Sequence, residues 1–183
     1  MRTPVATSAS SELPVSPKPT VGIAAARVCV SIAEFVVTSN PNAELITYAL
    51  GSCVAVIVHD PRSRVGGMIH FRLPLSSGDP DKAREQPATF ADTGIPALFR
   101  TIYSFGCDKR DLVVKLAGGA SMNGDSAQFD IGARNILIAR RILWQYRILI
   151  TAEAVGGQIA RTVRLDVESG RCVIRSGGKE SEL

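Results

Sequence analysis

The chain carries two histidines and four cysteines, and one of each falls at a spacing that supports chemistry: Cys53, closing the stretch Leu50-Gly51-Ser52-Cys53, precedes His70 by seventeen positions. The thiolate is the reactive form of cysteine, and a free thiol with a pKa of about 8.5 needs a neighbouring base or cation to supply it at neutral pH. An imidazole is such a base. Once protonated it can hand the proton to a departing amine, so the pair suits acyl transfer from an amide through a thioester. Gly51 and Ser52 allow a tight turn ahead of the thiol, with backbone N–H groups facing outward as an oxyanion hole. The competing reading is a small buried cysteine and a hydrogen-bonded core histidine, the usual fate of either residue alone.

The elements that must bring the two together are legible between them. Val54–Val58 and Met68–Phe71 are apolar and largely β-branched, and Asp60-Pro61-Arg62-Ser63 has Asp and Pro at the first two positions of a turn. This predicts a hairpin. With Asp60 and Ser63 as the closing pair, partner numbers sum to 123, which sets Val58 against Val65 and Cys53 directly opposite His70. Opposed residues have Cβ atoms about 4.5–5.5 Å apart on one face. A bulge at Gly66-Gly67, or a slip of one residue, would break that alignment.

These residues also carry a resemblance. The run Thr47-Tyr48-Ala49-Leu50-Gly51-Ser52-Cys53-Val54-Ala55-Val56, then Asp60-Pro61, Val65-Gly66-Gly67-Met68-Ile69-His70-Phe71 and Leu73-Pro74, resembles the signature of the bacterial chemoreceptor glutamine deamidases, the CheD-type chemotaxis proteins. The likeness continues through Phe90-Ala91-Asp92-Thr93, Ala117-Gly118-Gly119-Ala120-Ser121-Met122, Ile131-Gly132-Ala133-Arg134-Asn135 and Gly156-Gly157 with Ala160-Arg161-Thr162-Val163. It covers roughly residues 33–176. The resemblance implies an enzyme that hydrolyses glutamine side-chain amides on methyl-accepting chemotaxis receptors, releasing ammonia and leaving glutamates. It implies Cys53 as nucleophile, His70 as base and Thr47 as an assisting residue. A threonine hydroxyl can accept the second imidazole N–H and fix the tautomer, although by residue type alone Thr47 is an ordinary strand residue. The same family implies a second possibility, a non-catalytic adaptor that binds and stimulates a CheC-type response-regulator phosphatase. A general thiol amidase or transglutaminase acting on small molecules is a third.

Composition narrows the field. The chain of 183 residues is 45% apolar, enough for one sizeable core, and its 5% aromatic content with a single Trp lacks the interleaved basic and aromatic residues that stack nucleic-acid bases. A net charge of +4 from scattered Arg residues favours an acidic protein surface over DNA, and a plain solvated basic face over either. Cys29, Cys107 and Cys172 read as structural or incidental thiols of a reducing compartment. There is no Cys-x-x-Cys, and the only histidine besides His70 is His59, read as a solvated hairpin residue, so neither a metal nor a cofactor is expected. The glycine cluster at 117–121 lacks a phosphate-binding pattern and reads instead as a small-residue passage lining the cleft at Gly118, Gly119 and Ser121, with Arg134 and Asn135 holding it or simply facing water. The apolar run from Val21 is broken by Arg27 and Glu34 before the ~20 residues of a membrane span, so a cytoplasmic protein without membrane insertion is expected, monomeric by default.

The remaining pattern predicts strands at 28–37, 45–50, 112–116, 148–152, 162–166 and 172–174, with a loop at 74–87. Asp92 caps a predicted helix to Phe105 with Ile95, Leu98, Phe99, Ile102 and Phe105 as its core stripe, and a second helix covers 132–146 with Ile136, Leu137, Arg140, Leu143 and Trp144. The fold class is α+β: mixed, largely antiparallel sheets layered with two main helices in one cysteine-hydrolase-like domain. Residues 1–26 are expected to be a disordered extension, 27–176 the deamidase-like domain, and 177–183 a frayed tail.

Overall fold

A computed structural model of the chain describes residues 26–121 and 130–183. The expectation for the amino-terminal extension falls on residues outside them except at Ala26, which is not part of a tail but pairs with Ala43 in a strand. The described chain builds two five-stranded sheets. One consists of β1 (Ala26–Cys29), β3 (Ala43–Leu50), β8 (Arg161–Asp166), β9 (Cys172–Ser176) and β10 (Lys179–Glu182), in the order β1-β3-β8-β9-β10. The other consists of β2 (Glu34–Thr38), β5 (Val65–Phe71), β4 (Val54–Asp60), β6 (Val113–Gly118) and β7 (Ile150–Val155), in the order β2-β5-β4-β6-β7. Pairing is antiparallel except for β1 with β3 and β6 with β7. Two long helices, α2 (Ala91–Ser104) and α3 (Ile131–Gln145), lie on the second sheet, and a short helix α1 (Pro80–Glu85) precedes them. The α+β expectation holds.

Alternation along the hairpin strands produces three layers. Ala55, Ile57 and Met68 join Leu45, Leu50, Val163, Leu165 and Ile174 in a core between the sheets. Val54, Val56, Val58, Ile69 and Phe71 face the other way and meet Ile95, Leu98, Ile102, Ile136 and Leu143 of the helices. Every residue of β4 and β5 is therefore buried, which explains the unbroken apolar run Val54–Val58. Each fully buried Leu or Ile on the helix side contributes about 1.5–3 kcal/mol. The central strand pair is thus packed on both faces, and the site grows from it.

Several expectations are corrected. The single strand foreseen at 28–37 is two strands in different sheets, broken where Ala33 takes φ +63° and its N–H turns to the His70 carbonyl at 2.8 Å. Inside the foreseen loop, Asp79 caps α1 by accepting from the Lys82 N–H, with Pro80 at the first helical position. Asp92 does not cap α2; Phe90 occupies that place, and the Asp92 carboxylate accepts from the N–H and hydroxyl of Ser76. Phe105 lies beyond the helix and is exposed, as are Leu137 and Trp144 of α3, whose buried face runs through Asn135, Ile136, Ala139, Ile142 and Leu143. The segment expected to fray forms β10, paired with β9 and tied by an Arg171–Glu182 ion pair. No helix among the described residues is long and apolar enough to cross a membrane.

Candidate active site

Thr47 is fully buried near the end of β3. Its Oγ1 donates to the Val30 carbonyl at 2.8 Å and lies 2.8 Å from His70 Nδ1. A hydroxyl has one proton to give, so with that proton on Val30 the second contact is made by Nδ1–H of the imidazole donating to Thr47. His70 Nε2 is then the unprotonated nitrogen. It is buried and has no protein partner among the described residues. The ring is positioned by β5, which pairs His70 with Glu34 of β2 on one side and with Ala55 of β4 on the other.

That last pairing corrects the foreseen register. Partner numbers sum to 125, not 123, so Ala55 and not Cys53 stands opposite His70, and Asp60 closes the hairpin with Val65. The cause is the loop. The Asp60 carboxylate gathers the N–H groups of Arg62 and Ser63 and the Ser63 hydroxyl, so the foreseen turn forms inside a four-residue loop, 61–64, that ends with Arg64 at φ +53°. A displacement of two residues preserves the face, because side chains alternate with a period of two. Cys53, just ahead of β4, therefore stays on the His70 side, a diagonal neighbour about 7–8 Å away backbone to backbone with the Cβ atoms closer. It packs with Ala55 against the core between the sheets and is half-buried.

Local backbone geometry explains how the chain reaches this point. The β3–β8 register shifts between Thr47 and Leu50, Ala49 takes φ +55°, and the Gly51 N–H turns back to the Ala49 carbonyl at 2.8 Å. The bulge and turn carry the chain out of one sheet and into the other. Gly51 to Cys53 is the passage between them. The glycine segment embraces it: Gly119 N–H donates to Cys53 O and Ala120 N–H to Gly51 O, each at 2.7 Å. At Gly118 (φ +108°) a Cβ would stand 2.3 Å from Cys53 O. The tightness foreseen here for a substrate thus serves the chain's own backbone. Ser121 is farther out, its N–H bound to Gly157 O at 2.8 Å.

Of the two residues opening α3, Arg134 is exposed whereas Asn135 is fully buried. Asn135 Nδ2 donates to the carbonyls of Ser52 and Arg72, both at 2.9 Å, instead of holding the glycine segment. Sequence reading missed Arg72, which extension of the hairpin register by one step sets level with Cys53. Its signal was a cation two positions after His70.

Electrostatically, burial pushes the Cys53 thiol upward, and the Arg72 charge and the Cys53 N–H oppose that shift without cancelling it. Burial also drives His70 down to about 4. Both shifts favour the neutral forms, so the resting pair is thiol and imidazole. His59, foreseen as solvated, is buried with Nε2 on the Val167 carbonyl at 3.0 Å and Gly170 against its ring. Cys29 is exposed, Cys107 is buried, and Cys172 is buried with its thiol pushed up to about 11. No three His, Cys, Asp or Glu side chains among the described residues gather as a metal site.

Comparison with known proteins places the chain in a family. The family model described as CheD chemotactic sensory transduction matches residues 72–176. A probable chemoreceptor glutamine deamidase CheD 1 of Syntrophus aciditrophicus is 48% identical over 82% of this chain and 94% of its own length. A probable chemoreceptor glutamine deamidase CheD 2 of Anaeromyxobacter dehalogenans is 49% identical over 85% and 98%, and the chemoreceptor glutamine deamidase CheD of Thermotoga maritima 38% over 84% and 96%. The chain belongs to the CheD chemotactic sensory transduction family.

Proposed function

We propose that this protein is a cytoplasmic hydrolase that converts glutamine side chains of chemoreceptors to glutamates, with Cys53 as nucleophile. The observation that carries the mechanism is the chain Val30 carbonyl, Thr47 hydroxyl, His70 Nδ1–H, which leaves Nε2 as a free base on the Cys53 side of the sheet. The names of the relatives supply the substrate class.

Because thiol and imidazole are both neutral at rest, thiol deprotonation accompanies attack. His70 Nε2 takes the Sγ proton as sulfur bonds to the glutamine Cδ and the carbonyl oxygen becomes an oxyanion near the amides of Ser52 and Cys53. The imidazolium gives its proton to the amide nitrogen, the C–N bond breaks, and ammonia leaves a thioester. Water then adds with Nε2 as base, the C–S bond breaks, and the proton returns to sulfur. Thr47 keeps the tautomer fixed throughout and, having no charge, does not stabilise the imidazolium as a carboxylate would.

The test is mass spectrometry of a purified receptor cytoplasmic domain incubated with the protein and with Cys53→Ala. A gain of about 1 Da on defined glutamines with the native protein alone supports thiol-dependent deamidation. No gain across the host's receptors, together with binding of a CheC-type phosphatase that survives Cys53→Ala, would replace the enzyme with an adaptor.

A further inference from the structure

We infer that Asn135 is a positioning residue that aims the Cys53 backbone N–H at the reacting carbonyl, so that helix α3 sets the oxyanion hole from behind. The inference rests on the deamidase reading for its substrate and on the following geometry for its substance.

In a trans peptide the N–H points opposite to the C=O of the same unit. The three carbonyls around the thiol are all tied inward: Gly51 O to the Ala120 N–H at 2.7 Å, Ser52 O to Asn135 Nδ2 at 2.9 Å, and Cys53 O to the Gly119 N–H at 2.7 Å. Fixing Gly51 O turns the Ser52 N–H outward, and fixing Ser52 O does the same for the Cys53 N–H. Neither N–H has a backbone acceptor among the described residues. The Cys53 N–H belongs to the residue that bears the thiol, and it favours the thiolate.

Of the three ties only the Ser52 one is a side chain. Asn135 also donates to Arg72 O at 2.9 Å, so one amide group fastens the nucleophile turn to the end of the His70 strand. Both contacts are with carbonyl oxygens, which fixes the amide's orientation, and Asn135 Oδ1 is left buried without a partner among the described residues. Burying an amide that uses both donors and strands its acceptor costs stability, which the two donor bonds at this place offset only in part. An Asp at 135 would present only acceptors to the two carbonyls.

The experiment uses the full chain and Asn135→Ala, Asn135→Asp and Asn135→Gln, with three readouts. The first is kcat and KM for receptor deamidation. The second is protection of Cys53 from iodoacetamide by a short peptide whose glutamine side-chain amide is replaced by an aldehyde, which adds the thiol to give a hemithioacetal whose oxygen occupies the hole. The third is the alkylation rate without aldehyde, which needs no hole. We expect Asn135→Ala to lower kcat by about 10²-fold with KM within about twofold, as for loss of an oxyanion donor. Aldehyde protection should weaken at least about tenfold while free alkylation changes less than about threefold, with Asn135→Gln intermediate and Asn135→Asp worst. Equal losses of protection and free alkylation, or an unchanged kcat in a folded variant, would overturn the inference. Should the variants not fold, the native protein is read by NMR: aldehyde binding must move both the Cys53 amide proton and the Asn135 side-chain amide protons that hold Ser52 O and Arg72 O, and a Cys53 shift with the Asn135 signals unmoved, or no shift at all, sinks the proposal. Absence of receptor turnover by the native protein would remove the deamidase reading, while aldehyde protection and free alkylation of the Asn135 variants would still report on Asn135.

Discussion

Thr47 and His70 belong to different sheets, and the 2.8 Å contact between Thr47 Oγ1 and His70 Nδ1 makes the orientation of the base depend on how those sheets pack. Thr47→Val keeps the shape and removes the acceptor, leaving Nδ1–H and the Val30 carbonyl both unpaired. Deamidation should fall about 10–100-fold, the lower part of the range for general acid–base catalysis, because the imidazole is freed to take the other tautomer. Stability should drop by about 1–3 kcal/mol for the stranded buried groups. Thr47→Ser should retain most activity. Equal rates for the Val and Ser forms in receptor assays, at matched denaturation midpoints, would remove Thr47 from the mechanism.

Arg72 sets a second expectation. Its charge opposes the burial that raises the Cys53 thiol, so Arg72→Gln should raise that thiol further and slow iodoacetamide alkylation at pH 8 a few-fold. In the native protein the alkylation rate should keep climbing with pH beyond the ordinary thiol range, without a plateau near neutrality. Deamidation should instead be nearly flat from about pH 5.5 to 8.5, since the neutral pair is then fully populated, and should fall only as His70 protonates towards its value of about 4. An activity profile that tracks the alkylation profile would show that a preformed thiolate reacts.

Much of this site was readable because it depends on parity rather than on exact register. A hairpin foreseen two residues out of step still places Cys53 and His70 on one face, and a one-residue error would have separated them. The Asp60 turn was recognised but not its extension to Val65, since an αL residue at Arg64 carries no glycine or asparagine to announce it. The break at residues 31–33 was hidden for the same reason, as Ala33 at φ +63° looks like any strand residue. His59 was misjudged because its acceptor, Val167 O, is 108 positions away, and β10 because its all-exposed pattern is that of a polar tail until β9 pairs with it.

The acid limb of stability should carry the signature of His70. Its folded value of about 4 lies below the unfolded 6.5, so the unfolded chain binds the extra proton between those values. Stability is therefore full above pH 6.5, declines as pH falls towards 4, and changes no further through this group below that. The loss amounts to about 3 kcal/mol from the two values. Urea midpoints of the native protein and of His70→Asn, measured from pH 7 to pH 4, should diverge at pH 7 and converge on acidification. Parallel curves would show that His70 does not titrate in this window.

The closest backbone approach in the site yields the sharpest steric expectation. Gly118 is the last residue of β6, paired with Val54, and a Cβ there would meet Cys53 O at 2.3 Å and Val54 Cα at 3.1 Å, both backbone atoms that cannot swing away. Gly118→Ala combines this crowding with a φ of +108° that disfavours a side chain, so it should cost about 2–5 kcal/mol. It should also displace the carbonyl bound by the Gly119 N–H, and with it the thiol. Gly106→Ala is the control: φ is +84°, but nothing lies within 4 Å of the added carbon, so only the backbone strain of about 1 kcal/mol remains. At a urea concentration where both variants are folded, Gly106→Ala should deamidate at the native rate and Gly118→Ala at least about tenfold more slowly, because a displacement of the order of 1 Å in a reacting group can cost up to about 10²-fold. Equal rates in the two variants would mean that the Cys53 turn absorbs the intrusion, and that the glycine segment supports the fold without setting the position of the nucleophile.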